Sequence, residues 1–366
     1  MISLTLSRGT PERLPFPRFQ IKRDMWVATR QYVHTRAMKT LRVLSVLAFG
    51  AGIVFSMVGF SIPSAKPAIR QAQASNNVVV SKPPVKKAAS TPGPCQDAQT
   101  NDRSFASCPS FLEDYSGQSQ GTINTNDFTV YTGAPEANNE AEYYTSSTQN
   151  LRIQNGSLVL EALNSPENGY NYTSARISTQ NKENFLYGKI VVKASMPTGI
   201  GTWPAIWMLA SNPKYASLSP ASDTNRYLND GEIDIAESVG TDQNTIYGIA
   251  HSVAYPEDGT NRSYFNTITV PHSGATFHEY EVDWTPTSLT YRVDGQAYFT
   301  YTKQPNADYR SWPFDQQFYL IINLALGGTW GGTDTSQFPG DGVDKNALPT
   351  SLNVQSISYY PYIGAM

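Results

Sequence analysis

Two hairpin-like stretches limit the fold more than anything else in this chain. LRIQNGSLVL (residues 151–160) sets apolar and polar residues in alternation on either side of Asn155-Gly156. LTYRVDGQAYFT (289–300) repeats the device around Asp294-Gly295. Asn-Gly and Asp-Gly tolerate the left-handed backbone that a two-residue turn demands, so both stretches read as β-hairpins. Residues 187–194 and 317–324 read as further strands, and no long stretch carries the 3.6-residue period of a helix. With 26 Gly and 24 Pro as punctuation, the chain from residue 109 to 366 is expected to be all-β. It is too long for an immunoglobulin-like sandwich and suits two large antiparallel sheets.

The part before it is different. Residues 1–94 hold 14 Lys/Arg against 2 Asp/Glu, while the rest hold 13 against 28. So acidic a body argues against a nucleic-acid partner, whose phosphates it would repel. Residues 43–62 form an uncharged run of 20, about the length that spans a hydrocarbon core. The basic segment 1–42 places nine Lys/Arg before it, which sends the remainder outward. Two readings of the run stand. It is an uncleaved membrane anchor, or, from a later start at Met38, a signal peptide with Ala72-Gln73-Ala74 as cleavage site. Either way the body is expected on the extracellular face, anchored or secreted, and acting as a monomer. Residues 63–108 begin as a Pro-rich, acid-free tether and end at Cys95 and Cys108, the chain's only cysteines. In an exported protein these read as a short disulfide loop, with two free thiols as the alternative.

GEIDIAE (residues 231–237) raises a question of parity. On a regular strand Glu232 and Asp234 share one face, and Glu237 falls on the other beside Ile233 and Ile235. Residues 279–284, EYEVDW, supply an internal contrast. There Glu279, Glu281 and Asp283 stay in phase, as expected of a strand with one solvated face, and Tyr280, Val282 and Trp284 take the core. In GEIDIAE the third acid arrives one residue late. A β-bulge near Ala236 would absorb the extra residue and return Glu237 to the face of the other two.

Several segments together carry a resemblance: NNEAEYY (138–144), SAR (174–176), WPAIW (203–207), EIDIAE (232–237), WPFDQ (312–316) and NLALGG (323–328). In this order they resemble glycoside hydrolase family 16, and within it the laminarinase-like endo-β-1,3-glucanases. The resemblance implies a β-jelly-roll sandwich of two curved antiparallel sheets whose concave face holds a polysaccharide, here β-glucan. It implies Glu232 as nucleophile, Glu237 as general acid/base and Asp234 between them as auxiliary. Three close carboxylates cannot all ionise cheaply, so at least one is expected to bind its proton unusually tightly. The resemblance further suggests cleft roles for Trp203, Trp207, His251, Asn139, Arg176 and Trp330. Read from their residue types alone, Trp207 suits the core equally well, Arg176 an ion pair with a surface acid, Asn139 a turn, and His251 a structural histidine.

The chain departs from the family at one place. Many relatives bind a structural calcium through an Asp in the last strand, where this sequence has Gln355, a neutral and weak ligand. No cofactor and no catalytic metal are expected. The acids leave open a transglycosylase, and hydrolysis of mixed-linkage β-glucan or of agar- or carrageenan-type galactan. A non-catalytic β-glucan-binding protein on the same fold would be expected to lack the acids, and this chain keeps all three.

Overall fold

Both expected hairpins form. Asn155 and Gly156 adopt φ of 51° and 78°, and Asp294 and Gly295 adopt 50° and 75°, the left-handed pairs that match strand twist. The computed structural model describes residues 104–219, 226–254, 263–271, 276–332 and 337–365. The basic segment, the apolar run, Cys95 and nearly all of the tether fall outside them. Cys108 is disulfide-bonded. Among the described residues no helix is long and apolar enough to cross a membrane.

In chain order the strands are β1 (Phe111–Asp114), β2 (Gln120–Gly121), β3 (Thr129–Tyr131), β4 (Glu142–Tyr144), β5 (Leu151–Gln154) and β6 (Ser157–Ala162). There follow β7 (Tyr172–Ser174), β8 (Arg176–Ser178), β9 (Gly188–Ser195), β10 (Thr202–Ala210), β11 (Glu232–Glu237) and β12 (Thr245–His251). The last six are β13 (Ser263–Thr269), β14 (His278–Trp284), β15 (Ser288–Val293), β16 (Gln296–Thr302), β17 (Phe318–Leu326) and β18 (Thr350–Tyr360). One sheet runs β16-β15-β14-β9-β18-β6-β5-β2, with β1 also on β18, and the other β13-β12-β11-β10-β17-β8-β3. Every pairing within these two sheets is antiparallel. A short parallel pair, β4 with β7, stands apart.

The sheets share one core. From β14 come Tyr280, Val282 and Trp284, and from β17 Phe318, Leu320, Ile322, Leu324 and Leu326. Full burial of each large side chain contributes roughly 1.5–3 kcal/mol, which fixes the register of both strands. Polar bonds tie the layers together: Tyr291 Oη donates to the Ile249 carbonyl at 2.8 Å, and Trp284 Nε1 to that of Phe314 at 3.0 Å. Trp312, 1% exposed, belongs to this core.

The contrast strand needs a correction. Glu281 and Asp283 do point away from the core, but they are 9% and 6% exposed rather than solvated. Neighbouring strands supply the reason, because Arg292 Nε lies 2.8 Å from Asp283 and Lys189 Nζ 3.8 Å from Glu281. The long basic side chains cover the acids they pair with.

Where β12 faces β15 and β16 of the other sheet there is room only for glycine. A Cβ on Gly248 would fall 2.4 Å from Tyr298 Oη and 2.8 Å from Tyr291 Cδ1, both on the opposite sheet. Gly248→Ala is therefore expected to cost about 1–3 kcal/mol, the usual range for overpacking. Thermal unfolding should show a midpoint several degrees lower; a midpoint within a degree of the parent would contradict the close approach.

Candidate active site

The extra residue in EIDIAE is absorbed inside β11. Against β10, Leu209 faces Glu232, Trp207 faces Asp234 and Ala205 faces Glu237, with a register shift between Ile206 and Trp207. Ile235 is the unmatched residue, and on the other side Asp234 and Glu237 oppose Ile249 and Tyr247 of β12 across the same irregularity. Core packing selects this arrangement. Ile233, Ile235 and Ala236 are at most 1% exposed, so all three apolar residues of the segment reach the core while all three acids stay off it. A regular strand would instead drive the Glu237 carboxylate into the apolar layer, a penalty of several kcal/mol. The lost ladder bond costs only about 1 kcal/mol. The bulge wins.

The acids line the face of the seven-stranded sheet that points away from the core. Glu232 lies opposite His251 on β12, and His251 Nε2 stands 2.9 Å from Asp234 Oδ2. Glu232 and Asp234 share a side-chain hydrogen bond. Trp203 Nε1 donates to Glu237 Oε1 at 2.9 Å. Burial pushes the Glu232 carboxyl up to about 8, with the charge of Asp234 adding to it and that of His251 opposing. Burial likewise lifts Asp234 to about 7. Glu237 is raised well above the ordinary range, by burial first and the Asp234 charge second, with the Trp203 indole opposing. The cluster therefore retains protons near neutrality, and Glu237 is suited to donating one.

Aromatic walls flank the acids. Trp330, on the helical turn Gly328–Gly331, meets Trp203 edge-on with ring centroids 5.4 Å apart, and Tyr247 at 4.9 Å. Trp207 is half-buried on the open face, not in the core. Its Nε1 donates to Asn323 Oδ1 at 2.7 Å, and the Arg176 guanidinium lies 5.3 Å from its ring centre. Arg176 also lies over Tyr131 at 5.2 Å and reaches the surface acid Glu136 at 3.5 Å. Both readings of Arg176 thus hold at once. Asn139 occupies an exposed turn with φ of 54°; its neighbour Asn138 accepts the Thr329 N–H at 2.8 Å, setting the turn beside Trp330. The structure thus brings Trp203, Trp207, His251, Arg176 and Trp330 around the acids and sets Asn139 in the exposed turn next to the Trp330 segment.

Asn323 and Tyr247 join this face without having been singled out as site residues. Each had a signal: Asn323 is the one amide in the otherwise apolar strand FYLIINLAL, and Tyr247 shares strand parity with His251. The segment 312–316 acts at a distance. Gln316 Nε2 donates to the Asp230 carbonyl at 3.1 Å, and Asp230 in turn accepts the backbone N–H groups of Lys214, Tyr215 and Ala216, so the turn entering β11 is braced. Glu232, Asp234 and His251 bring potential ligand atoms within 4.8 Å of one another and are the metal-capable group among the described residues. Gln355 sits at the irregularity of β18, and its carbonyl accepts the Tyr115 N–H at 2.9 Å.

The family profile for glycosyl hydrolases family 16 matches residues 137–341, which contain the three acids, Asn139, Arg176, Trp203, Trp207, Tyr247, His251, Asn323 and Trp330. The chain belongs to that family. It is 39% identical over 232 residues to a β-glucanase of Rhodothermus marinus, covering 62% of this chain and 76% of that one. A glucan endo-1,3-β-glucosidase of Cryptopygus antarcticus is 34% identical over 227 residues, covering 58% and 78%. The crystal structure of the Rhodothermus marinus laminarinase superposes with a TM-score of 0.62 at 34% identity, over 71% of this chain and 98% of that chain. The all-β sandwich is thus the family 16 jelly roll, and the protein is a glycoside hydrolase.

The Trp203–Glu237 bond sets an expectation for pH dependence. Trp203→Phe removes the N–H that stabilises the ionised Glu237, so its carboxyl should hold the proton to still higher pH. The alkaline limb of the kcat/KM profile should then move upward, with activity down on the order of tenfold, as for loss of a hydrogen bond to a charged group. An unmoved alkaline limb would contradict the pairing.

Proposed function

We propose that this protein is a retaining endo-hydrolase of β-1,3-glucan. In the first step Glu237 delivers its proton to the glycosidic oxygen while a Glu232 oxygen attacks the anomeric carbon. The C–O bond to the leaving chain breaks and a glycosyl ester forms on Glu232. In the second step Glu237 takes a proton from water, the hydroxide attacks the same carbon, and Glu232 leaves as carboxylate, so the anomeric configuration is retained. Asp234, hydrogen-bonded to Glu232 and contacted by His251, holds the nucleophile and balances its charge as the ester forms and breaks. Trp203, Trp207 and Trp330 offer flat faces for sugar rings, with Arg176, on β8 beyond β17, as a polar contact beside Trp207. No cofactor takes part in this scheme.

One observation carries the reading: the bulge at Ile235, which sets Glu237 on the same face as Glu232 and Asp234. The glucan substrate is supported by the named activities of the relatives. The 20-residue apolar run supports a catalytic domain held on the outer side of a membrane or released from it.

Products formed over time from laminarin, mixed-linkage β-glucan, agarose and carrageenan test the proposal. Laminarin should yield a ladder of short oligosaccharides fastest, with mixed-linkage glucan slower. Cleavage of agarose or carrageenan with laminarin intact would overturn the substrate assignment. New oligosaccharides longer than the starting one would make the protein a transglycosylase.

A further inference from the structure

Beneath the open face lies a second pair of carboxyls that the mechanism does not use. Glu142, on β4, is completely buried, and its Oε2 accepts the Leu326 N–H at 2.8 Å. Its Oε1 is buried and receives no donor. Glu140 stands next to it and accepts from Tyr144 Oη at 3.3 Å. Tyr144, also completely buried, accepts from Asn323 Nδ2 at 3.1 Å, and Asn323 Oδ1 accepts the Trp207 indole N–H at 2.7 Å. Every bond in this chain points the same way, from Trp207 through Asn323 and Tyr144 to Glu140. Such a direction requires an acceptor at its end, so Glu140 must offer a lone pair, and a donor on Glu142 Oε1 would satisfy the remaining orphan. Burial raises both carboxyls, and Glu142 well above the usual range, with the charge of Glu140 as its second cause. Glu142 also grips the end of β17, directly before the turn that carries Trp330.

We propose that Glu142, Glu140, Tyr144 and Asn323 form a hydrogen-bonded relay that holds the Trp207 indole as a sugar platform, which makes them positioning residues for glucan binding. The proposal rests on the reading that the open face binds β-glucan. Glu142 is the neutral donor of the relay and Glu140 its acceptor. An aligned platform stabilises bound substrate and transition state alike, so its loss should appear in KM and not in kcat.

The test measures kcat and KM of the full chain on a β-1,3-linked glucose hexamer. Tyr144→Phe keeps the ring, which packs edge-on to Tyr131 at 5.8 Å, and removes only the relay hydroxyl. It should raise KM about tenfold with kcat within about twofold. Glu142→Leu should do the same, whereas Glu142→Gln, which still accepts from Leu326 and donates to Glu140, should keep KM within about twofold. An unchanged KM in Tyr144→Phe, or a Gln variant as impaired as Leu, would overturn the relay; Tyr144→Phe alone decides if Glu142→Leu fails to fold. Calorimetric binding of the hexamer in a Glu232→Gln background gives the same comparison without turnover. Normal parental activity with no effect of Tyr144→Phe sinks the relay alone, and a parent chain that neither cleaves nor binds the hexamer sinks both readings.

Discussion

Glu232→Gln is expected to lower kcat on β-1,3-glucan by at least about 10⁴-fold while leaving affinity for the oligosaccharide within a few-fold. The amide fills the same space and keeps a hydrogen bond to Asp234, but it cannot form a glycosyl ester. Glu237→Gln should be comparably inactive on natural glucan, because the amide has no proton to give the leaving sugar; a positioned general acid alone contributes roughly 10²–10⁴-fold. The two variants part company on an aryl glycoside whose leaving group needs no protonation. There Glu237→Gln should regain its first step and release the aryl group in a burst, whereas Glu232→Gln stays inactive. Steady-state rates and burst amplitudes on both substrates check this. Recovery by Glu232→Gln, or by neither, would reverse or remove the assigned roles.

The same carboxyls should tie stability to pH. In the unfolded chain Glu232 titrates near 4.5, and in the folded chain its pKa is about 8. Between those values the folded state binds more protons than the unfolded state, so its contribution is fully present below pH 4.5. It is lost as pH rises toward 8, with a slope of up to about 1.4 kcal/mol per pH unit. Glu232→Gln removes the titrating group. The variant should therefore gain on the parent as pH rises from 5 to 8, with a widening advantage in unfolding midpoint of about 2–4 °C per kcal/mol. Glu281, pushed up to about 7 by burial and then by Asp283, acts with the same sign in both proteins and cancels in the comparison. Differential scanning calorimetry at stepped pH measures the gap. A gap constant across this range would mean that Glu232 is not desolvated in the folded protein.

Much of this architecture was legible from local rules. The two turn dipeptides fixed the hairpins because few residues adopt left-handed backbone cheaply, and strand parity showed that Glu237 needed a bulge. Parity could not say which face was wet. The in-phase acids 281 and 283 look solvated in sequence, yet Lys189 and Arg292 from adjacent strands bury them. Trp207 was open to two readings for the same reason: whether its face is core or cleft depends on which side the second sheet packs, and strand parity does not carry that. The Glu142–Tyr144–Asn323 relay was hidden further still, since it joins a three-residue strand to β17 across a separation of about 180 residues. Asn139 is compatible with both of its readings, since it is a turn residue by its left-handed backbone and that turn is bonded to the segment carrying Trp330.

The central claim is that a covalent glycosyl ester forms on Glu232. Incubation with a 2-deoxy-2-fluoro-β-laminaribiosyl fluoride, which speeds ester formation relative to its hydrolysis, followed by intact-mass and peptide analysis, tests it directly. One added disaccharide per chain, located on the peptide that contains Glu232, is the expected result. An unlabelled chain that consumes the reagent, or a label on Glu237 or elsewhere, would contradict it.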